Sequence, residues 1–231
     1  MTQLPLRDAK DAWLEKFEGA SIIKVNPIGS PTMRHLHKRS FGHVGRNCHF
    51  ISVFGRILLG EDQISEAEAA VNKRIVEVTT AIERRISAMK AIVADNGLSD
   101  SLAQFNASSE IVSKIVVPSQ TRFLNLIVLG DQYLVLVNTL WLHGELQDRE
   151  KSRAELELKQ LLRGIPATTR KMRIYLQAKL TEAAKKDDTP AVAEAAKKAL
   201  QEADAAGANP ANDAAAEKEE TAENMPVAVA A

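Results

Sequence analysis

The spacing of apolar residues predicts a chain built mainly from helices. From residue 65 onward, apolar residues recur at alternating steps of four and three, which is the period of one buried face of an α-helix. Ser65 and Glu68 match a capping box at the start of this segment, and Asp95 to Gly97 is typical of its end. We therefore predict a helix of about 30 residues that packs on a partner helix in the same chain or across a dimer. The apolar face contains Val71, Ile75, Val78, Ile82, Ile86, Met89 and Val93.

The C-terminal half contains three more helical segments. Residues 121–142 are apolar almost all round, which is typical of a helix in the protein interior. The carboxylate of Asp131 needs a partner there, and Arg122 or a residue of the following helix is the expected one. Residues 148–163 predict a charged amphipathic helix that ends at Gly164 to Pro166. The last helix, from 166 to about 183, carries a second basic patch formed by Arg170, Lys171, Arg173 and Lys179.

Two short segments have the composition of β-strands. Residues 21–26 are rich in β-branched side chains, and residues 109–117 form a similar run that Pro118 closes. Ser30 followed by Pro31 is typical of a helix start, so residues 31–41 predict a short helix that Gly45 ends. Asn47 is then expected to cap a second amphipathic helix. The predicted fold class is mainly α with a short β ribbon, an α+β fold.

Charge divides the chain into a basic body and an acidic tail. The whole sequence has 30 basic and 30 acidic residues, which cancel. Residues 181–231 contain 11 acidic and 5 basic residues, a net charge of −6, so residues 1–180 carry 25 minus 19, or +6. We predict an N-terminal arm or helix at 1–19, a unit at 20–60, a helical body at 61–183 and a flexible acidic tail at 184–231.

Residues 19–60 contain no aspartate or glutamate. The same segment includes four of the five histidines of the chain. A stretch with charge of one sign is expected of a surface that contacts phosphate, although it is also compatible with a solvated face that has no partner. Its basic residues are Lys24, Arg34, Lys38, Arg39, Arg46 and Arg56.

The order of a strand, a short basic helix, a turn and an amphipathic helix resembles the ribbon-helix-helix DNA-binding fold. In that family two chains pair one strand each into an antiparallel ribbon that enters the major groove. The strand period of two places Lys24 and Asn26 on one face, and their side chains can donate to guanine or pair with adenine. We therefore predict that these two contact bases. The predicted phosphate contacts are Arg34, His35, Lys38 and Arg39, with Arg46 and Asn47 at the start of the second helix.

A second resemblance lies in the C-terminal half. The leucine-rich segment with Asp131, followed by Leu-Trp-Leu-x-Gly-x-Leu at residues 140–146, is similar to AcaB-like regulators of IncC conjugative plasmids and related integrating conjugative elements. The likeness covers roughly residues 20–180. It implies a ribbon-helix-helix-like transcriptional activator of conjugative transfer genes. The alternative is a helical interaction or DNA-processing accessory protein of such an element that binds DNA nonspecifically.

The expected partners follow from the ribbon hypothesis. One strand alone would leave its edge unpaired, so a homodimer on double-stranded promoter DNA is expected, with RNA polymerase as a further candidate partner. The single cysteine, Cys48, excludes an internal disulfide and fits a cytoplasmic protein. Residues 123–142 are interrupted by polar positions, which indicates a soluble chain with no membrane partner.

Few features of the sequence support a catalytic site or a metal site. The sequence contains no glycine-rich phosphate loop and no serine, histidine and carboxylate set with a recognisable pattern. His35 and His37 are two residues apart on a helix and do not face each other, and adjacent Cys48 and His49 do not readily converge on one ion. We therefore expect no enzyme activity, no cofactor and no metal site.

Overall fold

The computed structural model describes residues 12–15, 17–56, 61–106 and 109–186. Most of the predicted arm and of the acidic tail lies outside these residues. The chain is mainly helical with one two-stranded antiparallel sheet, which confirms the predicted fold class. Its elements are α1 (Ala12–Glu15), β1 (Ile22–Ile28), α2 (Pro31–His49), a π-helix (Phe50–Gly55), α3 (Glu61–Asp95), β2 (Ser109–Ile115), α4 (Pro118–Leu142) and α5 (Asp148–Lys186).

The ribbon is formed within one chain. Strand β1 pairs antiparallel with β2, in a register that runs from Ile22 opposite Ile115 to Ile28 opposite Ser109. The described ribbon thus lies within one chain and pairs one edge of β1, while pairing between the strands of two chains stays a prediction. The predicted unit at 20–60 shares its sheet with the helical body. The homodimer itself stays a prediction, but it no longer rests on the argument that β1 would be an unpaired single strand.

Helix α4 lies at the centre of the hydrophobic core. Its length and hydropathy would suffice to cross a membrane, but 61% of its apolar window is buried inside the fold, which is typical of a core helix. Helices α2, α3 and α5 all pack on it. The fully buried side chains at the centre include Phe123, Leu124, Ile127 and Val137 of α4, Val78 and Ile82 of α3, and Leu158, Leu162 and Ile165 of α5.

The predicted buried face of α3 is confirmed, but its predicted start is wrong. Six of its seven apolar residues are buried, and Met89 packs against the core. The helix begins at Glu61, so Ser65 lies inside it, and Glu68 accepts a hydrogen bond from Ser52 at 2.7 Å instead of capping a helix. The predicted end is confirmed: Gly97 has φ 67° and the amide of Leu98 donates to the carbonyl of Val93.

Helix α2 does not end at Gly45. It continues to His49 and then into the π-helix, so the predicted second helix start at Asn47 does not exist. A Cβ atom at position 45 would overlap the side-chain amide of Gln120 on α4. The glycine therefore allows close packing between two helices, and this packing outweighs its low helix propensity of about 1 kcal/mol.

Helix α5 likewise continues through Pro166, where the sequence predicted a break. A proline inside a helix costs about 3 kcal/mol, since it removes one backbone hydrogen bond and crowds the preceding turn. Leu162 and Ile165, both in the turn that precedes Pro166, are fully buried. Burial of these side chains in the core offsets the local cost, so the two predicted helices form one.

The carboxylate of Asp131 connects α4 to the corner between β1 and α2. Its two oxygens accept hydrogen bonds from the backbone amides of Gly29 at 3.0 Å and Ser30 at 2.8 Å. The expected partner Arg122 is wrong, because that guanidinium donates to Asn72 on α3 at 2.7 Å. Asp131 thus satisfies backbone donors at the start of α2 and adds a negative charge where the helix dipole is positive.

We predict that Asp131→Ala lowers the free energy of unfolding by about 2–3 kcal/mol, because two half-buried amides lose a charged acceptor. Urea unfolding followed by circular dichroism measures this change. Asp100→Ala, an exposed carboxylate in a turn, is the control and should change stability by less than about 0.5 kcal/mol. Equal unfolding midpoints for the two variants would contradict the role assigned to Asp131.

Candidate nucleic-acid interface

Helix α2 presents one face to the core and one to the surface. Ser30 caps its start by accepting a hydrogen bond from the amide of Met33, and Pro31 occupies the first turn. Met33, Leu36 and Phe41 are buried, as their spacing predicted. The basic residues of the first two and a half turns are consequently directed away from the core.

Four predicted phosphate contacts lie on this outer face, next to two basic residues of α5. His35 and Lys38 are exposed, and Arg34 and Arg39 are half-buried. Helix α5 packs alongside α2 and contributes Lys159 and Arg163. We call this set the basic surface: Arg34, His35, Lys38 and Arg39 of α2, with Lys159 and Arg163 of α5.

The electrostatics of His35 show how close these groups are. Burial lowers the pKa of His35 from 6.5, and the positive charges of Arg39, Lys159, Lys38 and Arg163 lower it further. The guanidinium of Arg39 also lies 3.5 Å from the His35 ring nitrogen. Positive charges from two helices therefore act on one side chain, which is the arrangement expected of a surface that attracts an anion.

Lys159 and Arg163 were not singled out from the sequence. Their spacing of four residues puts them on one face of a helix, and Arg170 follows seven residues later, so the signal was present. The predicted second patch on α5 is only partly a surface feature. Lys171 is exposed, whereas Arg173 is 5% exposed and donates to the side chain of Asn47.

Arg46 and Asn47, the other two predicted phosphate contacts, are buried near the C-terminal end of α2. Each is 7% exposed. The amide of Asn47 donates to Thr169 at 3.3 Å and accepts from Arg173 at 3.3 Å, and Arg46 contacts the ring of His43 at 2.6 Å. Since no helix starts at Asn47, and since both side chains are buried and Asn47 joins α2 to α5, we leave them out of the basic surface.

The predicted base contacts lie on the inner face of the ribbon. Lys24 is opposite Ser113 and Asn26 is opposite Ile111, and both are half-buried. Ser113 is 1% exposed because it faces α2, where it contacts Nε2 of His37 at 2.8 Å. The alternation of side chains therefore turns Lys24 and Asn26 toward the helices, and Ile23 and Val25 outward. Oδ1 of Asn26 accepts no hydrogen bond within the described residues.

His37 and Cys48 are buried in the fold. Burial lowers the pKa of His37 to about 4, where the ring also stacks on Phe41 with centroids 4.6 Å apart. The pKa of Cys48 is raised to about 12, with burial as the main cause. Among the described residues, no group of three histidine, cysteine or carboxylate side chains is placed to bind a metal ion.

This arrangement, a two-stranded ribbon on a bundle of long helices, is similar to the fold of a solved structure. The chain is similar to AcaB from uropathogenic Escherichia coli, with a TM-score of 0.69 and 20% sequence identity, over 78% of this chain and 98% of that one. The chain therefore has an AcaB-like fold. No protein-family model and no curated protein matches its sequence.

The burial of His37 predicts a loss of stability in acid. Because the pKa is about 4 in the folded chain and 6.5 when exposed, the unfolded chain binds a proton first as the pH falls. The contribution of His37 is thus complete above pH 6.5 and decreases between pH 6.5 and about 4, by roughly 3 kcal/mol in total. Urea unfolding at a series of pH values measures it.

His37→Gln should remove this part of the pH dependence, while Ser113→Ala should keep it, since burial and not the hydroxyl group is the cause. An unchanged pH dependence in His37→Gln would contradict the assignment.

Proposed function

We propose that this protein is a cytoplasmic, homodimeric transcription regulator that binds double-stranded DNA through its basic surface. The observation that carries the proposal is the meeting of basic side chains from α2 and α5 on one surface, next to a segment of 42 residues without a carboxylate. The AcaB-like fold supports the same conclusion. Activation of conjugative transfer genes, with RNA polymerase as a partner, is proposed from the resemblance to AcaB-like regulators.

The basic surface would contact the sugar-phosphate backbone. Lys38, Arg39, Lys159 and Arg163 each neutralise a phosphate and release counterions, which supplies affinity that falls with salt. His35 has a lowered pKa and is mostly neutral at pH 7, so its ring donates one hydrogen bond without adding a full charge. Such contacts set the orientation of the protein on the duplex but carry no sequence information.

Sequence recognition is proposed for Lys24 and Asn26, as the strand pattern predicts. Both side chains are half-buried, and Oδ1 of Asn26 accepts no hydrogen bond within the described residues. Asn26 pairs with adenine and Lys24 with guanine in this proposal. Contact with base edges requires these side chains to turn outward from the inner face of the ribbon.

Their inward position favours a second candidate function. This candidate is a helical accessory protein of a conjugative element that binds DNA through phosphates alone. It needs no side chains on the ribbon that contact bases. It would bind all sequences with similar affinity. The two candidates differ in site preference and share the basic surface.

We predict that Lys38→Ala combined with Arg163→Ala weakens DNA binding equally for all sequences. Each lost contact should reduce the slope of log K against log salt by about 1. Fluorescence anisotropy with a labelled duplex, across a salt series, measures both quantities. The control is Lys73→Ala with Lys90→Ala, which removes two exposed positive charges from α3. A control that loses as much affinity as the test variant would refute the assigned surface.

Lys24→Ala and Asn26→Ala are each expected to abolish preference for one promoter while weak nonspecific binding persists, because base contacts supply discrimination of about 1–3 kcal/mol per base pair. Footprinting of fragments from the protein's own replicon, with competitor DNA, locates that site first. A wild-type protein that protects no discrete site would instead support the accessory protein.

A further inference from the structure

The outer face of the ribbon is apolar and exposed. Ile23 is 67% exposed and Val25 is 51% exposed, whereas Ile28 and Ile115 on the inner face are buried. The two strands have no other strand beside them among the described residues, so each has one open edge. We define the outer ribbon face as the outward residues of both strands: Ile23, Val25 and Pro27 of β1 with Glu110, Val112 and Lys114 of β2.

An exposed face of this kind is characteristic of an interface. A two-stranded ribbon is marginally stable by itself, and long apolar strands at a sheet edge associate unless charges or irregularities protect them. On the outer side of β1 the chain places two aliphatic residues and a proline and no charge, since Lys24 is on the inner side. Clustered apolar surface that is rimmed by polar groups marks a site of protein association.

The charges on β2 indicate which partner fits. Glu110 is at one end of the outer ribbon face and Lys114 at the other, with Val25 and Val112 paired between them. A two-fold rotation about an axis through this central pair places Glu110 of each copy over Lys114 of the other. The ammonium group of Lys114 donates to the carbonyls of Leu14 and Phe17, which leaves one of its three protons for that carboxylate. The pattern is therefore complementary to itself.

We propose that a second copy of this chain packs face to face on the outer ribbon face, with the ribbons antiparallel and centred on Val25. This proposal rests on the homodimer of the proposed function and names its interface. The experiments that test it involve no DNA. Stable interfaces bury about 800 Å² and roughly 20–30 residues on each partner, so a face of six residues is well below that size and predicts a weak dimer. We accordingly expect dissociation at roughly micromolar concentrations.

Sedimentation equilibrium of the full-length protein over a concentration series tests the proposal. The wild type should show a monomer–dimer equilibrium, and Val25→Lys should be a monomer throughout. Val76→Lys, which places the same charge at an aliphatic residue of α3 that is 60% exposed, is the matched control and should dimerise like the wild type. Glu110→Lys should weaken the dimer at least several-fold, since it faces two lysines toward each other.

Cross-linking provides a second measurement. The only cysteine, Cys48, is 3% exposed, so the wild type should not form disulfide-linked dimers on mild oxidation. Val25→Cys should form them quickly, because the two-fold axis brings position 25 of both copies together, and Val76→Cys should not.

The proposal is overturned by a wild type that remains monomeric at all concentrations, or by Val25→Lys that keeps the dimer mass. A Val25→Lys variant with unchanged mass and weaker DNA binding would instead assign this face to DNA. If only the proposed DNA binding fails, the protein will still dimerise with the expected affinity but will bind no duplex.

Discussion

The carboxylate of Asp131 is the interaction on which the arrangement of this molecule depends. It lies in the middle of the central helix α4 and accepts hydrogen bonds from the backbone amides of Gly29 and Ser30, at the corner between β1 and α2. Two elements that are 100 residues apart in the chain are thereby joined at a defined point. The direction of α2 follows from this point, and the direction of α2 decides which of its side chains reach the surface.

Some basic residues of the chain are buried between its helices and others lie on the surface. Their positions along the sequence do not distinguish these two groups. Arg46 and Arg173 are buried, and Arg173 joins α5 to α2 through its hydrogen bond to Asn47. Lys38 and Arg163 lie on the outside of the same pair of helices. The sum of positive charge in residues 19–60 therefore overestimates the charge available to a phosphate backbone, while α5 supplies part of it from outside that segment.

The ribbon shows a similar separation between its two faces. Its inner face packs on the helices through Ile28, Ser113 and Ile115, and takes Lys24 and Asn26 with it. The outer face carries the aliphatic side chains that a strand normally turns toward a core. The exposed aliphatic residues of the outer face suit an apolar partner, whereas the basic surface is suited to a charged partner. The two surfaces thus favour different kinds of contact.

The sequence by itself determined the elements that a periodic pattern of apolar residues predicts. The buried face of α3, its end at Gly97, both strands and the interior position of α4 all follow from residue spacing and local backbone chemistry, which act over a few residues. Only the tertiary structure decided the pairing of β1 with β2, the continuity of α2 through Gly45 and of α5 through Pro166, and the partner of Asp131. Glycine and proline cost the helix about 1 and 3 kcal/mol, and contacts with residues distant in the chain offset these costs. The same distant contacts decided which face of the ribbon is buried, so the residues that contact a partner could not be chosen from strand parity alone.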